Sequence, residues 1–206
     1  MHQMSQPDGD AVGSARSAQG PVLETKVGWT RLYADSQVIT YGRKSIALKD
    51  VEWVSYQAVH TATKRLLYPT THDSQWFFSV GRYPYQGPAV AVTDFRAGRR
   101  TDPPEHWTFL VSLAQRYLEP RLLSDLVERV RRGETVMVGG ALRVNQHGIS
   151  CRKPNFSLPW ESCGGAQVGN GAVWIYQAGV DQPLTAASLG NPNAGLIPAL
   201  FSILMS

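Results

Sequence analysis

Leu32-Tyr33-Ala34-Asp35-Ser36-Gln37-Val38-Ile39-Thr40-Tyr41 and Leu142-Arg143-Val144-Asn145-Gln146-His147-Gly148-Ile149-Ser150-Cys151 follow one pattern. The pairs Leu32/Leu142, Asp35/Asn145, Ile39/Ile149, Thr40/Ser150, Arg43/Lys153, Ile46/Phe156 and Leu48/Leu158 stay aligned without a gap. Self-similarity over such a span marks a duplicated structural unit. In each copy a short polar turn, Asp35-Ser36 or Asn145-Gln146-His147-Gly148, joins two runs with strand character. The sequence therefore predicts two small sheet-rich units.

Working outward, Trp29–Ala34, Gln37–Tyr41, Ile46–Leu48 and Val51–Val59 read as strands, with Arg43-Lys44-Ser45 as a turn. His60–Ser74 reads as a polar loop, the longest irregular insertion, without a counterpart in the second copy. Gln75–Arg82 and Pro88–Phe95 complete a sheet. Asp102-Pro103-Pro104-Glu105 offers an N-cap and a helix start. Trp107, Leu110, Val111, Ala114 and Leu118 then recur at helical spacing. Pro120 interrupts that run, so a second helix is expected from there to Arg131-Arg132-Gly133, where basic residues followed by Gly suit a C-terminus. The second copy runs through short strands and Val173-Trp174-Ile175-Tyr176, the answer to Trp76-Phe77-Phe78. It ends on Asn191-Pro192-Asn193 as a cap and the apolar segment Leu196–Met205.

The domain plan is a disordered tail over 1–20, a first unit over 21–119, a linking helix over 120–134, and a second unit over 135–206. The polar, aromatic-free composition of the tail carries the first of these assignments. The fold class is α+β, each unit a bent antiparallel sheet or barrel capped by a C-terminal helix. That is the pleckstrin-homology-like (PH-like) architecture.

Composition narrows the function classes. The chain has 206 residues, 43% hydrophobic and 17% charged, with a net charge of +4. Its cations are uneven: ten Lys/Arg against six Asp/Glu between Trp29 and Pro104, but three against two from Thr135 onward. A nucleic-acid binder carries a denser basic stripe than this, so nucleic acid is not expected as a partner. Two cysteines, Cys151 and Cys163, make neither a disulfide framework nor a zinc site, and are expected as buried thiols. No basic-then-apolar leader precedes the units and no apolar run reaches eighteen residues, so the expected location is the cytoplasm.

One region carries a resemblance. Arg121-Leu122-Leu123 through Arg132-Gly133-Glu134-Thr135-Val136, Gly148-Ile149-Ser150, Leu158-Pro159-Trp160 and Asn191-Pro192-Asn193 are similar to an uncharacterised family of bacterial domains with tandem PH-like units. The resemblance covers Arg121 to Leu204 well and the first copy loosely. It implies the fold and no particular chemistry.

Candidate sites follow from charge and turn position. Arg43-Lys44 and Arg152-Lys153 hold equivalent turns; solvated edge protection is the leading reading of them, with phosphate capture from a lipid headgroup or nucleic acid second. Lys64, Arg65 and His72 mark the His60–Ser74 segment as a candidate recognition loop. Arg96, Arg99 and Arg100 form a further basic cluster before the helix. Leu196, Leu200 and Phe201 are expected to be buried against the second sheet or to form an interface with another chain, a homo-oligomer included. Catalysis is not expected. The five histidines show no metal-ligand spacing, Cys151 with His147 lacks an orienting third group, and Gly164-Gly165 and Gly169-Asn170-Gly171 lead into a strand rather than a helix. Asn170-Gly171 reads instead as a hairpin turn. No cofactor or metal is expected. The leading expectation is a non-catalytic interaction or scaffolding module that binds another protein. Peripheral attachment to an anionic membrane, through the basic turns and the C-terminal apolar run, is the alternative. Small-molecule binding or hydrolysis at an open barrel end is the third.

Overall fold

A computed structural model describes residues 20–65, 68–98 and 102–206, and over them the chain is α+β. Residues 1–19 of the expected disordered tail, Arg99, Arg100 and the side chain of Arg65 lie outside the described residues. Strands β1 (Leu23–Val27), β2 (Thr30–Ala34), β3 (Val38–Tyr41) and β4 (Lys44–Ala47) form one antiparallel sheet in chain order. A 3-10 turn, Leu48–Asp50, leads to β5 (Trp53–Arg65), β6 (Tyr68–Gly81) and β7 (Val90–Ala97), a second sheet in chain order. Helix α1 (Glu105–Leu113), a π-helical turn (Ala114–Leu118) and α2 (Glu119–Arg131) follow without a break.

The second half repeats this order. Strands β8 (Val136–Val138), β9 (Leu142–Asn145), β10 (Gly148–Arg152) and β11 (Asn155–Pro159) make a four-stranded sheet. The 3-10 turn Trp160–Ser162 precedes β12 (Cys163–Gly169), β13 (Ala172–Gln177) and β14 (Pro183–Ser188), a three-stranded sheet. A last 3-10 turn, Ala194–Leu196, runs into α3 (Ile197–Leu204).

The repeat pairs have equal structural duties. The Asp35 carboxylate accepts the Gln37 and Val38 amides at 2.7 and 2.8 Å, and the Asn145 side-chain oxygen accepts the His147 amide at 2.9 Å. Short polar side chains that bond their own backbone two residues on set such turns. Leu32, Leu142, Ile39 and Ile149 are all buried. Asn170 and Gly171 adopt positive φ of 52° and 73° between β12 and β13, as the hairpin reading requires.

Several expectations are corrected. His60–Ser74 is no loop: β5 and β6 continue through it, pairing His60 with Ser74, Thr61 with Asp73, Ala62 with His72 and Thr63 with Thr71. β7 stops at the pair Asp73–Ala97, so the described residues beyond it form a two-stranded ribbon, and the polar residues there read as loop. Trp29, expected to open a strand, lies in the β1–β2 turn, and β1 precedes it. Pro120 does not end the helix. It cannot return an N–H to the preceding turn, and the chain widens there, with the Glu119 amide bonding the Ala114 carbonyl five residues back. The residue at the helix start is Pro104, without a side-chain cap, so Asp102 does not cap. Pro198 sits in the first turn of α3, where the missing N–H breaks nothing.

The buried residues form one continuous cluster from Val27 to Phe201, so the two halves share a core. Leu196, Leu200 and Phe201 belong to it, each no more than 3% exposed. Helix α3 packs on β12 and α2, and Trp160 meets Phe201 edge-on at 5.4 Å. Burying side chains of this size contributes about 1.5–3 kcal/mol each. These three residues therefore hold the second half together and present no surface to another chain.

Candidate functional site

A large concave surface opens where the two halves meet. Glu52, Tyr83 and Pro84 come from the first half, Thr135 and Met137 from the second, and Arg121, Asp125, Glu128, Arg129 and Arg132 from the exposed side of α2. The cleft encloses about 840 Å³ and Leu122 and Leu126 form its apolar floor. Concave sites at the junction of two structural units are common places for binding.

Its walls are held by named contacts. Glu52 accepts the Tyr83 amide at 2.5 Å, and the Tyr83 hydroxyl reaches the Met137 carbonyl at 3.5 Å. Arg121 donates to the Leu48 and Val51 carbonyls at 3.1 and 2.5 Å and lies 3.3 Å from Asp125, which anchors α2 to the 3-10 turn between the two sheets of the first half. Arg129 and Arg132 both reach Glu134, at 2.8 and 3.1 Å. Burial pushes the Tyr83 phenol above its ordinary range, with Arg129 opposing and Glu52 reinforcing the effect. The two arginines hold Glu134 below the usual carboxylate range through their hydrogen bonds.

Chemically the cleft is balanced in charge. Its three arginines face three carboxylates, Glu52, Asp125 and Glu128, so it favours neither anions nor cations. Small-ligand pockets are mainly apolar with a few convergent polar groups. A surface of mixed charge over an apolar floor, with Met137 half-exposed on one wall, instead has the make-up of a protein contact.

A second cluster looks catalytic in composition. His60 Nδ1 and Ser74 Oγ are 2.9 Å apart, Arg96 lies over the Trp76 ring at 5.8 Å, and His106 Nε2 is 3.5 Å from Asp94. Ser74, however, is 2% exposed, which closes its hydroxyl to a substrate. Among the described residues no three His, Cys, Asp or Glu side chains gather as a metal site. Cys151 and Cys163 are buried free thiols, the Cys163 thiol pushed up by burial.

The residues singled out from sequence do not converge. Arg43 and Lys44 stand exposed at the β3–β4 tip, and Arg152 and Lys153 at the β10–β11 tip. Arg152 lines a separate depression with Arg143, Ser150 and Ser157. Lys64 lies on the exposed ribbon and half-buried His72 faces Ala62 across it. Sequence reasoning missed the cleft, because Tyr83, Arg129 and Met137 are unremarkable until the halves pack. The one sequence cue was the basic end of α2.

No known family model, no curated protein and no solved structure matches the chain. The site has to be understood from its own residues.

Proposed function

We propose that the protein is a non-catalytic interaction module of two PH-like units that docks a protein partner in the cleft between them. The PH-like reading draws support from the element order: four strands, a 3-10 turn, three strands and a helix, twice over. The observation that carries the docking reading is the charge-balanced cleft of about 840 Å³ with residues from both halves on its walls. Segments that present both charges and an apolar anchor match such a surface. Among the described residues no helix is long and apolar enough to cross a membrane, and two unpaired buried thiols suit the reducing cytoplasm where we place the protein.

The test compares wild type with Met137→Glu and Arg132→Glu, two exposed positions, by affinity capture from lysate followed by binding measurements with the purified captured protein. A partner bound by wild type and weakened at least tenfold by both variants is the expected result. A captured protein that binds wild type and variants equally, or none at all, overturns the reading.

A further inference from the structure

Trp29 has the full exposure of a free side chain, 101%, at the tip of the β1–β2 hairpin. The fold does not need it there. In the second half the corresponding β8–β9 tip is packed inside: the Gly139 amide donates to the Pro192 carbonyl at 2.9 Å, and the Asn191 side-chain amide donates to the Gly139 carbonyl at 3.0 Å. A Cβ at Gly139 would run into Ala187 and Ile197. One tip is thus a packing device, while its counterpart is left in water and carries the largest apolar side chain available.

Cations surround that tryptophan. Lys26 and Arg31 oppose each other across β1 and β2 just behind it. The β3–β4 tip, with Arg43 and Lys44, lies alongside: the Gly42 amide donates to the Arg31 carbonyl at 2.9 Å, and a Cβ at Gly42 would stand 3.0 Å from the Thr30 methyl. The carboxylate near this end is Glu24, which pairs with Arg31 at 2.5 Å, while Asp35 sits in the turn at the opposite end of the same sheet. The sheet is therefore polarised, with its positive charge and its exposed indole at one end.

We propose that this end of the first sheet docks on an anionic lipid bilayer, with the Trp29 indole at headgroup depth and Lys26, Arg43 and Lys44 over the phosphates. Indole rings settle at the membrane–water interface because they have an apolar body and a polar N–H. Basic residues near an anionic surface are attracted in a salt-dependent way. The two signals together hold the protein at the surface, where a single weak anchor gives only marginal binding. Leu196, Leu200 and Phe201 of the C-terminal apolar segment take no part, being buried. The surface is separate from the inter-half cleft, so docking here stands or falls independently of the protein-partner reading.

The experiment is sedimentation of the full chain with vesicles of about three parts phosphatidylcholine to one part phosphatidylglycerol, against pure phosphatidylcholine, in about 0.1 M NaCl. Binding to the anionic vesicles and not the neutral ones is expected. It should weaken about thirtyfold in Arg43→Gln/Lys44→Gln, from roughly one kcal/mol per charge removed. Tryptophan emission should be quenched by bromine-labelled lipid in wild type, and that quenching should vanish in Trp29→Phe, which controls for the other tryptophans. Trp29→Ala should melt as wild type does. No binding to anionic vesicles, equal binding to neutral ones, or quenching retained in Trp29→Phe overturns the proposal.

Discussion

Val54 and Asn193, from opposite halves of the chain, hold each other as neighbouring strands would. The Asn193 amide donates to the Val54 carbonyl at 2.8 Å, and the Val54 amide donates to the Asn193 side-chain oxygen at 3.0 Å. The Asn193 side-chain amide also donates to the Glu52 carbonyl at 3.1 Å. Asn193 is 1% exposed and left-handed at φ 57°, a conformation that Asn tolerates better than most residues. The expected cap is thus a clamp: the side chain ignores its own helix and satisfies the open edge of β5.

Asn193→Ala should therefore cost about 3 kcal/mol in urea unfolding, since it leaves a buried amide without a partner and strains the left-handed turn. Asn193→Gly restores the backbone freedom and should recover part of that loss. If the alanine variant is as stable as wild type, the clamp does not hold the halves together.

Tyr56 fastens β5 to the start of α2, its hydroxyl donating to Glu119 at 2.6 Å and accepting from Gln115 at 3.4 Å. Burial, then the Glu119 bond, pushes its phenol up to about 12. The unfolded phenol loses its proton near 10 while the folded one keeps it, so stability should fall as pH rises from about 10 to about 12. Tyr56→Phe should cost about 1 kcal/mol at neutral pH. It should also show a shallower alkaline loss in thermal melts across that window.

His106 gives the opposite slope. Burial holds its imidazole below its ordinary value, with the Asp94 carboxylate opposing and Arg96 reinforcing. The unfolded imidazole takes a proton first, so stability should drop as pH falls through about 6.5. His106→Phe should remove that component, and the difference between variant and wild-type melts from pH 8 to pH 5 measures it. Identical slopes would refute the assignment.

Gly81 lies flat against the Trp53 indole, whose ring a Cβ would overlap, while the indole N–H donates to the Arg82 carbonyl at 3.1 Å. Gly81→Ala should push the ring out and destabilise by about 1–3 kcal/mol, the range for overpacked cores. Near-ultraviolet circular dichroism should change with it. An unchanged spectrum at full stability would contradict this packing.

The duplication was legible because its signal is local. Asp35 and Asn145 make the same turn with their own backbones, and Ile39 and Ile149 fill equivalent core positions, so the strand pattern followed from spacing. The ribbon within His60–Ser74 was not legible, since its described residues 61–64 and 70–71 are all exposed and show no alternation of apolar and polar residues. The start of a helix at Pro120 was legible, α2 beginning at Glu119, but its continuity with the helix before it was not: a π-helical turn absorbs the proline, and nothing in the residue order announces it.

The candidate sites divide in the same way. Arg43 and Lys153 could be placed at turns from sequence, because turn residues report their own conformation, while Lys44 and Arg152 are strand residues that flank those turns. The cleft could not, because Tyr83 and Met137 meet only once the halves are packed. The Trp29 tip needed the structure as well, since exposure is a property of what fails to pack against a residue. Sequence by itself determined the two sheet-rich copies, the turns and the apolar positions, all set by the preferences of neighbouring residues. Tertiary structure decided that the copies share one core, that Asn193 completes the edge of β5, and which surfaces remain open, because those depend on contacts between residues far apart in the chain.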